Sequence, residues 1–304
     1  MSDAPRHGTP QSTRPFAQVD VFADRPGLGN PVAVVLDASG LTDDDMARFA
    51  RWTNLSETTF VLPPTEDGAA RGADYRVRIF TPAGELPFAG HPTLGTCHAW
   101  LESGGTPAAD DVVQECGVGL VTVRREEGPD GAPRLAFTAP DLLTDEPLDD
   151  DELAAAVTAL GIPEDAVLDH RSLDNGPGWR VLLLDTPARV AGLVPDFSRS
   201  RVTHPDLKIG VVALYADDDG PDGVAAEVRA FADDIGVAED PVTGSLNAVI
   251  GQWLTRDGRL PGRYVAAQGA ALGRAGRVDV ARDATGAVRV GGATVTVVAG
   301  TVRL

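Results

Sequence analysis

The sequence predicts an α+β protein made of two pseudo-symmetric lobes, and three observations lead to that fold class. The pattern V-R-x-F at 77–80 recurs at 228–231, and x-P-x-x-G-[ST] at 91–96 recurs at 240–245. Val-Val-Leu-Asp at 34–37 has a counterpart, Leu-Leu-Leu-Asp, at 182–185. Segments with strand-like and helix-like patterns alternate in both halves. Matches in one order at offsets of 148, 149 and 151 residues indicate duplication, and two duplicated lobes would leave a cleft between them.

The first half is predicted to consist of strands and a surface helix. Thr42–Trp52 is predicted to be a helix because Thr42 can cap it, aspartates fill its first turn and its apolar residues recur at helical spacing. Apolar runs bounded by turn residues predict the strands. These strands are Phe16–Phe22, Pro31–Leu36, Phe60–Leu62 and Tyr75–Phe80.

The second half begins after a predicted linker at 129–133. Asp151–Leu160 is predicted to be a helix that ends at Gly161. Strands are predicted at Val278–Ala281, Val288–Val290 and Thr294–Val298. The predicted organisation is a disordered tail at 1–14, an N-terminal lobe at 15–128 completed by a C-terminal strand at about 292–304, and a C-terminal lobe at 129–291.

Composition and charge disfavour several classes of function. The chain has 304 residues, and no apolar run approaches the roughly 18 residues of a membrane span. The net charge is −19 with Lys208 as the only lysine, so we expect neither nucleic acid nor a membrane as partner. A small anionic substrate stays possible, because a site is governed by its local field. Two cysteines and five scattered histidines suggest neither a disulfide framework nor a metal site, which favours the reducing cytoplasm.

The repeated proline motif predicts two helix N-termini. Proline is favourable at the first helical position, so we expect Pro92 and Pro241 to start helices, with His91 and Asp240 at or beside the N-caps. Free N–H groups at such ends attract anions, and glycines nearby let a ligand approach the backbone. Two helix ends in one cleft could hold a carboxylate and stabilise an enolate-like transition state. The simpler alternative is that each residue only caps a helix.

Glu57 is the candidate base. It lies in a stretch rich in hydroxyl groups, with Ser56 before it and two threonines after it. At constant offset the repeat places Lys208 opposite Glu57, so only one half carries the glutamate, as a single-base enzyme requires. The alternative is a solvated surface carboxylate.

Several motifs resemble the PhzF-like (phenazine biosynthesis) isomerase family. Glu-Leu-Pro-Phe-Ala-Gly-His-Pro and Glu-Asp-Pro-Val-Thr-Gly-Ser are the most specific of them. The stretches that carry the resemblance are 18–22, 29–34, 55–60, 85–95 and 239–245, with a weaker match at 268–274.

The resemblance implies the diaminopimelate-epimerase fold, in which each lobe is a mixed, curled, barrel-like sheet around a central helix. It also implies a cofactor-independent homodimer that acts in secondary metabolism. The implied reaction is a proton shift on trans-2,3-dihydro-3-hydroxyanthranilate or a similar acid, with Glu57 as general acid/base. The candidate catalytic residues are Glu57, His91 and Asp240, and the candidate substrate-binding residues are Gly90, Gly244, Ser245 and Ser56.

Two alternatives stay open, an epimerase or racemase of amino or hydroxy acids and a non-catalytic binding protein on the same scaffold. Related epimerases and proline racemases use two opposed thiols at the helix N-termini. Here Cys97 and Cys116 lie outside those positions, which disfavours that chemistry. The chain also lacks a complete dinucleotide fingerprint and a G-x-S-x-G elbow.

Overall fold

A curled mixed sheet surrounds two central helices in the computed structural model, which describes residues 12–128, 131–198, 200–216, 220–232 and 237–304. The strands predicted in the first half are confirmed, as is its helix. The strands are β1 (Thr13–Val21), β2 (Asn30–Val35), β3 (Glu57–Leu62), β4 (Tyr75–Phe80), β5 (Glu85–Leu86), β6 (Val112–Cys116), β7 (Gly119–Glu127) and β8 (Pro133–Thr138). The helices are α1 (Asp43–Thr53), α2 (Glu66–Ala70) and α3 (Gly90–Glu102).

The second half contains the predicted surface helix and the predicted C-terminal strands. Its strands are β9 (Thr144–Glu146), β10 (Val167–Asp174), β11 (Trp179–Leu184), β12 (Ile209–Leu214), β13 (Ala226–Ala232), β14 (Val237–Asp240), β15 (Arg263–Gln268), β16 (Gly276–Arg282), β17 (Val288–Gly292) and β18 (Thr294–Arg303). Its helices are α4 (Asp150–Leu160), α5 (Pro187–Gly192), α6 (Ser200–Thr203) and α7 (Gly244–Arg256).

Strand pairing confirms the internal repeat. One ladder runs β18-β1-β2-β3-β4-β6-β7-β8, and the other runs β9-β10-β11-β12-β13-β15-β16-β17. Each step has the same parallel or antiparallel sense in both ladders, and β8 joins them by pairing with β17. The register repeats as well, since Val61 faces Val77 on β4 while Val212 faces Val228 on β13. At this offset Lys208, just before β12, corresponds to Glu57.

The same ion pair occurs once in each ladder. Arg78 on β4 holds Glu85 on β5 through two hydrogen bonds of 2.8 and 2.6 Å. Arg229 on β13 holds Glu239 on β14 through two of 2.9 and 2.8 Å. Such paired, forked contacts fix the short strands β5 and β14 against the sheet. The arginines are those of the two V-R-x-F patterns.

This pairing corrects the predicted helix starts. The segment Glu85–His91 corresponds to Glu239–Ser245, so Pro87 rather than Pro92 is the counterpart of Pro241. Both central helices start three residues after the corresponding proline, at Gly90 and Gly244. Pro241 therefore does not begin a helix, and His91 and Asp240 are not N-caps. The physical reason is that Asp240 ends a strand, and Gln268 hydrogen-bonds the bend that follows it.

The central helices α3 and α7 are each 13 residues long and almost wholly buried. Their apolar residues surround the helix axis, as expected for helices enclosed by a sheet. A Cβ at Gly95 would come within 2.3 Å of Val32, and one at Gly251 within 2.7 Å of Val280. Glycine therefore lets each helix pack directly on its own sheet.

The surface helices confirm the predicted caps. Thr42 and Asp45 form a capping box at the start of α1, and its buried face is Met46, Phe49 and Ala50. Gly161 ends α4 in the left-handed conformation, with φ of 66°. Among the described residues, no helix is long and apolar enough to cross a membrane.

The chain ends meet at β1 and β18. Residues 1–11 lie outside the described part, but Ser12 exchanges backbone hydrogen bonds with Leu304 and β1 begins at Thr13. The predicted disordered tail at 1–14 therefore extends too far, because residues 12–14 pair with the C-terminal segment that contains β18. β18 pairs with β1 and lies in the first ladder, together with β8. The predicted linker at 129–133 includes 129–130, which lie outside the described residues, and the domain boundaries stay a prediction.

Candidate active site

Glu57 opens β3, on the sheet that surrounds α3. Its side chain is 14% exposed. The neighbouring Thr58 and Thr59 are fully buried, and their hydroxyls bond Thr53 and Thr96. A strand held so firmly fixes the carboxylate, which contradicts the interpretation as solvated surface. Ser56 is half-buried directly before Glu57, and its contact with substrate stays a prediction.

His91 is the second residue of α3 and meets Glu57. Its Nε2 lies 3.2 Å from Oε2 of Glu57, off line for an N–H···O hydrogen bond. Burial lowers the pKa of His91 to about 3, while a hydrogen bond with the backbone of Pro31 acts in the opposite sense. The imidazole is therefore neutral near pH 7. It can exchange a proton with a neighbour without carrying a resting charge.

Asp240 reaches the same site from the end of β14. Its Oδ1 accepts a hydrogen bond from Asn30 Nδ2 at 2.9 Å, and its Oδ2 accepts one from Thr243 Oγ1 at 2.6 Å. Burial raises its pKa to about 6, although these two hydrogen bonds favour the charged form. Asp240 is thus mainly ionised at neutral pH.

Glu57 has the opposite charge state. Burial, and next the negative charge of Asp240, raise the pKa of Glu57 from 4.5 to about 8. The site therefore holds two carboxyl groups that environment separates into a protonated acid and an ionised base. Such a separation is typical of acid/base catalysis.

The first turns of α3 and α7 face each other beside this cluster. A Cβ at Gly90 would lie 3.7 Å from the Cα of Gly244, so the two helix starts are in contact. Neither N-cap, Ala89 or Thr243, supplies a side-chain hydrogen bond to its helix. The first N–H groups of both helices are therefore not used by a side-chain cap and could bind an anion, and binding of a substrate there stays a prediction.

Ser245 is the second residue of α7 and corresponds to His91 of α3. Its Oγ accepts a hydrogen bond of 3.1 Å from the indole Nε1 of buried Trp179. The indole can only donate, so the serine proton stays free to donate to a ligand. The structure thus brings together Glu57, His91, Asp240, Gly90, Gly244 and Ser245.

Phe22 and Phe137 form the apolar wall behind the helix starts. A Cβ at Gly90 would lie 2.8 Å from Phe137 Cζ, and one at Gly244 would lie 3.5 Å from Phe22 Cζ. Phe22 is fully buried in the left-handed conformation, with φ of 64°, which is strained for a bulky side chain. In this conformation its ring lies beside Gly244 of the second half.

Three residues near the site have functional contacts that sequence reasoning did not assign. Asn30 contacts His91 and Asp240, Trp179 orients Ser245, and Gln268 bonds the backbone of Thr243. Asn30 and Gln268 lie in stretches that carry the family resemblance, and this resemblance is the sequence feature that could have identified them.

Other features of the molecule are weaker candidates for an active site. A groove of about 230 Å³ lies elsewhere on the sheet, lined by Arg134, Arg263 and Arg289 among others, and none of the candidate residues lines it. Burial raises the pKa of the Cys97 thiol to about 12, so it is not a thiolate at neutral pH. Within the described ranges, no cluster of histidine, cysteine and acidic residues is arranged to hold a metal ion. The titratable cluster at the helix starts is therefore the candidate active site.

Sequence comparison identifies the family of the chain. The model of the family PhzC-PhzF, described as phenazine biosynthesis-like protein, matches residues 19–300. Antisense-enhancing sequence 1 of Schizosaccharomyces pombe is 40% identical over 299 residues, covering 94% of this chain and 97% of that protein. Trans-2,3-dihydro-3-hydroxyanthranilate isomerase of Pseudomonas aeruginosa is 34% identical over 275 residues, covering 89% and 91%.

Solved structures show the same fold. A PhzF family protein of Bacillus anthracis superposes with a TM-score of 0.83 at 24% identity, covering 96% of this chain and 100% of that one. A hydroxyproline epimerase of Agrobacterium vitis superposes with a TM-score of 0.59 at 15% identity, covering 96% and 93%. The predicted epimerase-like α+β fold is confirmed, and relatives named isomerases extend over most of the chain. The protein is therefore an isomerase that belongs to the phenazine biosynthesis-like family, PhzC-PhzF.

Proposed function

We propose that the protein catalyses a single-base proton shift on a small unsaturated amino or hydroxy carboxylic acid in secondary metabolism. The observation that carries the proposal is the contact of the buried Glu57 carboxyl group with His91 at two uncapped helix starts, where burial raises the pKa of Glu57. Trans-2,3-dihydro-3-hydroxyanthranilate is the substrate to test, since a relative 34% identical is named for its isomerisation.

Glu57 performs both proton transfers in this mechanism. Its ionised form removes a proton from a carbon of the substrate, and the resulting acid returns that proton to another carbon on the same face. A pKa of about 8 suits both steps, because neither form of the carboxyl group is rare near neutral pH. Negative charge that develops on the substrate is stabilised by N–H groups at the start of α3 and α7.

The other groups orient the substrate. Its carboxylate binds at the helix starts, with the Ser245 hydroxyl as a further donor. Ionised Asp240 accepts a hydrogen bond from an amino or hydroxyl group of the substrate. His91 lies between Glu57 and Asn30, close enough to hydrogen-bond a ring substituent. Glu57 and Asp240 thus contact different parts of one small molecule.

Proton NMR in D₂O with trans-2,3-dihydro-3-hydroxyanthranilate tests the proposal. We expect the wild type to convert the substrate, with deuterium entering the product where the carboxyl proton exchanges with solvent. Glu57→Gln should lose at least about 1,000-fold in turnover, in the range of removing general acid/base catalysis. Glu66→Gln, at an exposed carboxylate of α2, is the matched control and should turn over like the wild type. Near-normal activity of Glu57→Gln would disprove the assigned base.

An epimerase is the second candidate, because Asp240 comes from the opposite ladder to Glu57 and has a pKa of about 6. Two bases on opposite sides of a carbon would invert it. Inversion of a stereocentre without migration of a double bond would favour this reaction. Tight binding without turnover, across a panel of unsaturated and cyclic amino acids, would instead favour a binding protein.

The proposed enzyme acts as a cytoplasmic homodimer without a cofactor, and light scattering of the purified protein tests the dimer.

A further inference from the structure

Asn30 links the two halves of the site. It is the first residue of β2, is fully buried, and lies between α3 and the bend after β14. Its Nδ2 lies 2.9 Å from Asp240 Oδ1, 2.9 Å from the carbonyl of Val242 and 3.3 Å from His91 Nδ1. One amide group therefore contacts both halves of the chain.

Counting hydrogens fixes the orientation of this amide. The NH₂ group has two hydrogens, and its two short contacts are the Asp240 carboxylate and the Val242 carbonyl. A flipped amide would place its oxygen against both of these acceptors, which would repel it. Both hydrogens thus have acceptors, and the longer contact with His91 Nδ1 can only share one of them.

The His91 ring lies between Asn30 and Glu57. Its Nδ1 lies 3.3 Å from the Asn30 amide nitrogen, and its Nε2 lies 3.2 Å from Oε2 of Glu57. Nε2 has no aligned hydrogen-bond partner among the described residues. The Asn30 amide thus lies against the ring that contacts Glu57.

We propose that Asn30 is a positioning residue that holds Asp240 and contacts the His91 ring across the junction of the two halves, and so keeps both groups in place beside Glu57. This inference rests on the proposed acid/base function of Glu57. Asn30 acts through Asp240 and His91 and does not itself transfer a proton.

The charged surroundings of Asp240 decide what loss of Asn30 does. Asn30 and Thr243 are the hydrogen-bond donors to Asp240. The titratable groups near it are Glu57 on β3, His91 on α3, Glu239 on β14, and Arg229 on β13, which pairs with Glu239. Neutral His91 and the Arg229–Glu239 pair supply no free positive charge. The hydrogen bond from Asn30 is therefore one of the two that keep Asp240 ionised, and its removal should raise the pKa of Asp240.

NMR of the resting protein tests the proposal without any substrate. The ring signals of His91 in ¹⁵N-histidine-labelled protein, assigned with His91→Gln, should differ between the wild type and Asn30→Leu, because the amide that contacts Nδ1 is lost. In ¹³C-aspartate-labelled protein, Asp240 should titrate near pH 6, and Asn30→Leu should weaken its acidity about tenfold, the size expected for a charge-assisted hydrogen bond. Thr243→Val, the matched control, removes the other donor to Asp240, so it should shift Asp240 similarly and leave the His91 ring signals largely unchanged.

Each outcome decides the proposal. An Asn30→Leu protein with unchanged His91 and Asp240 signals would overturn it. Should Asn30→Leu fail to fold, the smaller Asn30→Ala removes the same contacts and decides the proposal by the same two signals. If a substrate is turned over, Asn30→Leu should lower kcat about tenfold or more with a smaller change in KM. If none is turned over, the proposed function fails, while the NMR result still stands or falls by itself.

Discussion

Replacing Glu57 by glutamine should make the protein more stable at alkaline pH while abolishing activity. The native site binds the Glu57 proton more tightly than the unfolded chain does, because burial and Asp240 disfavour the carboxylate. Forcing the native carboxyl group to ionise therefore costs folding free energy. Glutamine has nearly the same shape and never ionises, so it avoids that cost.

The size of the effect follows from the two pKa values of Glu57. The pKa is 4.5 for the free side chain and about 8 in the native site, which corresponds to about 5 kcal/mol at 1.36 kcal/mol per tenfold change in proton binding. Between these values the native state binds more protons than the unfolded state, so stability falls as pH rises from about 4.5 to about 8. Below that window the carboxyl group is protonated in both states, and above it the full destabilisation is present. A domain has only about 5–15 kcal/mol of stability in total, so the effect is large.

Urea unfolding at pH 5, 7 and 9 measures this effect. The free energy of unfolding of Glu57→Gln minus that of the wild type should increase by about 4 kcal/mol from pH 5 to pH 9. Taking the difference removes the contribution of His91, which has the opposite sign. Its pKa is lowered to about 3, so its contribution to stability is lost as pH falls from 6.5 towards 3. Exposed Glu66→Gln should show no such trend.

A difference between Glu57→Gln and the wild type that stays constant within about 1 kcal/mol across this range would refute the reasoning. It would mean that Glu57 ionises as readily in the native site as in the unfolded chain. The acid/base proposal would then lose its main physical support.

Two further predictions concern the helix starts. Gly90→Ala should destabilise the protein by about 1–3 kcal/mol in urea unfolding, because its Cβ would lie 2.8 Å from buried Phe137. Gly244→Ala should change stability by less than about 1 kcal/mol, because its Cβ would have no contact under 3.5 Å. Equal effects of the two alanines would show that the helix starts are not packed as described. Trp179→Phe should raise KM about fivefold with a smaller effect on kcat, because Ser245 loses the donor that leaves its proton free for substrate. An unchanged KM would argue against Ser245 as a substrate contact.

The sequence predicted the lobes well because the repeat is carried by strand pairing. V-R-x-F marks β4 and β13, whose neighbours pair in the same register, so the offset of 151 residues was physically meaningful. The offset at the proline motif was wrong because two prolines, Pro87 and Pro92, compete as counterparts of Pro241. The ion pairs Arg78–Glu85 and Arg229–Glu239 decide between them, and such pairs are visible only in three dimensions.

The titratable residues of the candidate site could be predicted from the sequence, but the residues that hold them in place could not. Glu57, His91 and Asp240 stood in specific motifs, and the fold brings them together as expected. Asn30 escaped assignment because its main partner, Asp240, is 210 residues away. Asparagine after glycine and before proline is otherwise ordinary turn chemistry. Pairings of this kind depend on the curl of both ladders, which local sequence does not encode.

The corrected alignment of the two halves bears directly on the choice between proton shift and inversion. The corresponding second residues of α3 and α7 are His91 and Ser245, where a two-base enzyme of this symmetry would need two matched bases. Among the described residues, the hydrogen bond given for the Ser245 hydroxyl comes from an indole N–H, which cannot remove the serine proton. The residue that corresponds to Glu57 in the second half is Lys208, just before β12. Neither of the two corresponding pairs, His91 with Ser245 and Glu57 with Lys208, therefore supplies two matched bases. The asymmetry of the two halves therefore favours one carboxyl group moving one proton, with the second half binding the substrate.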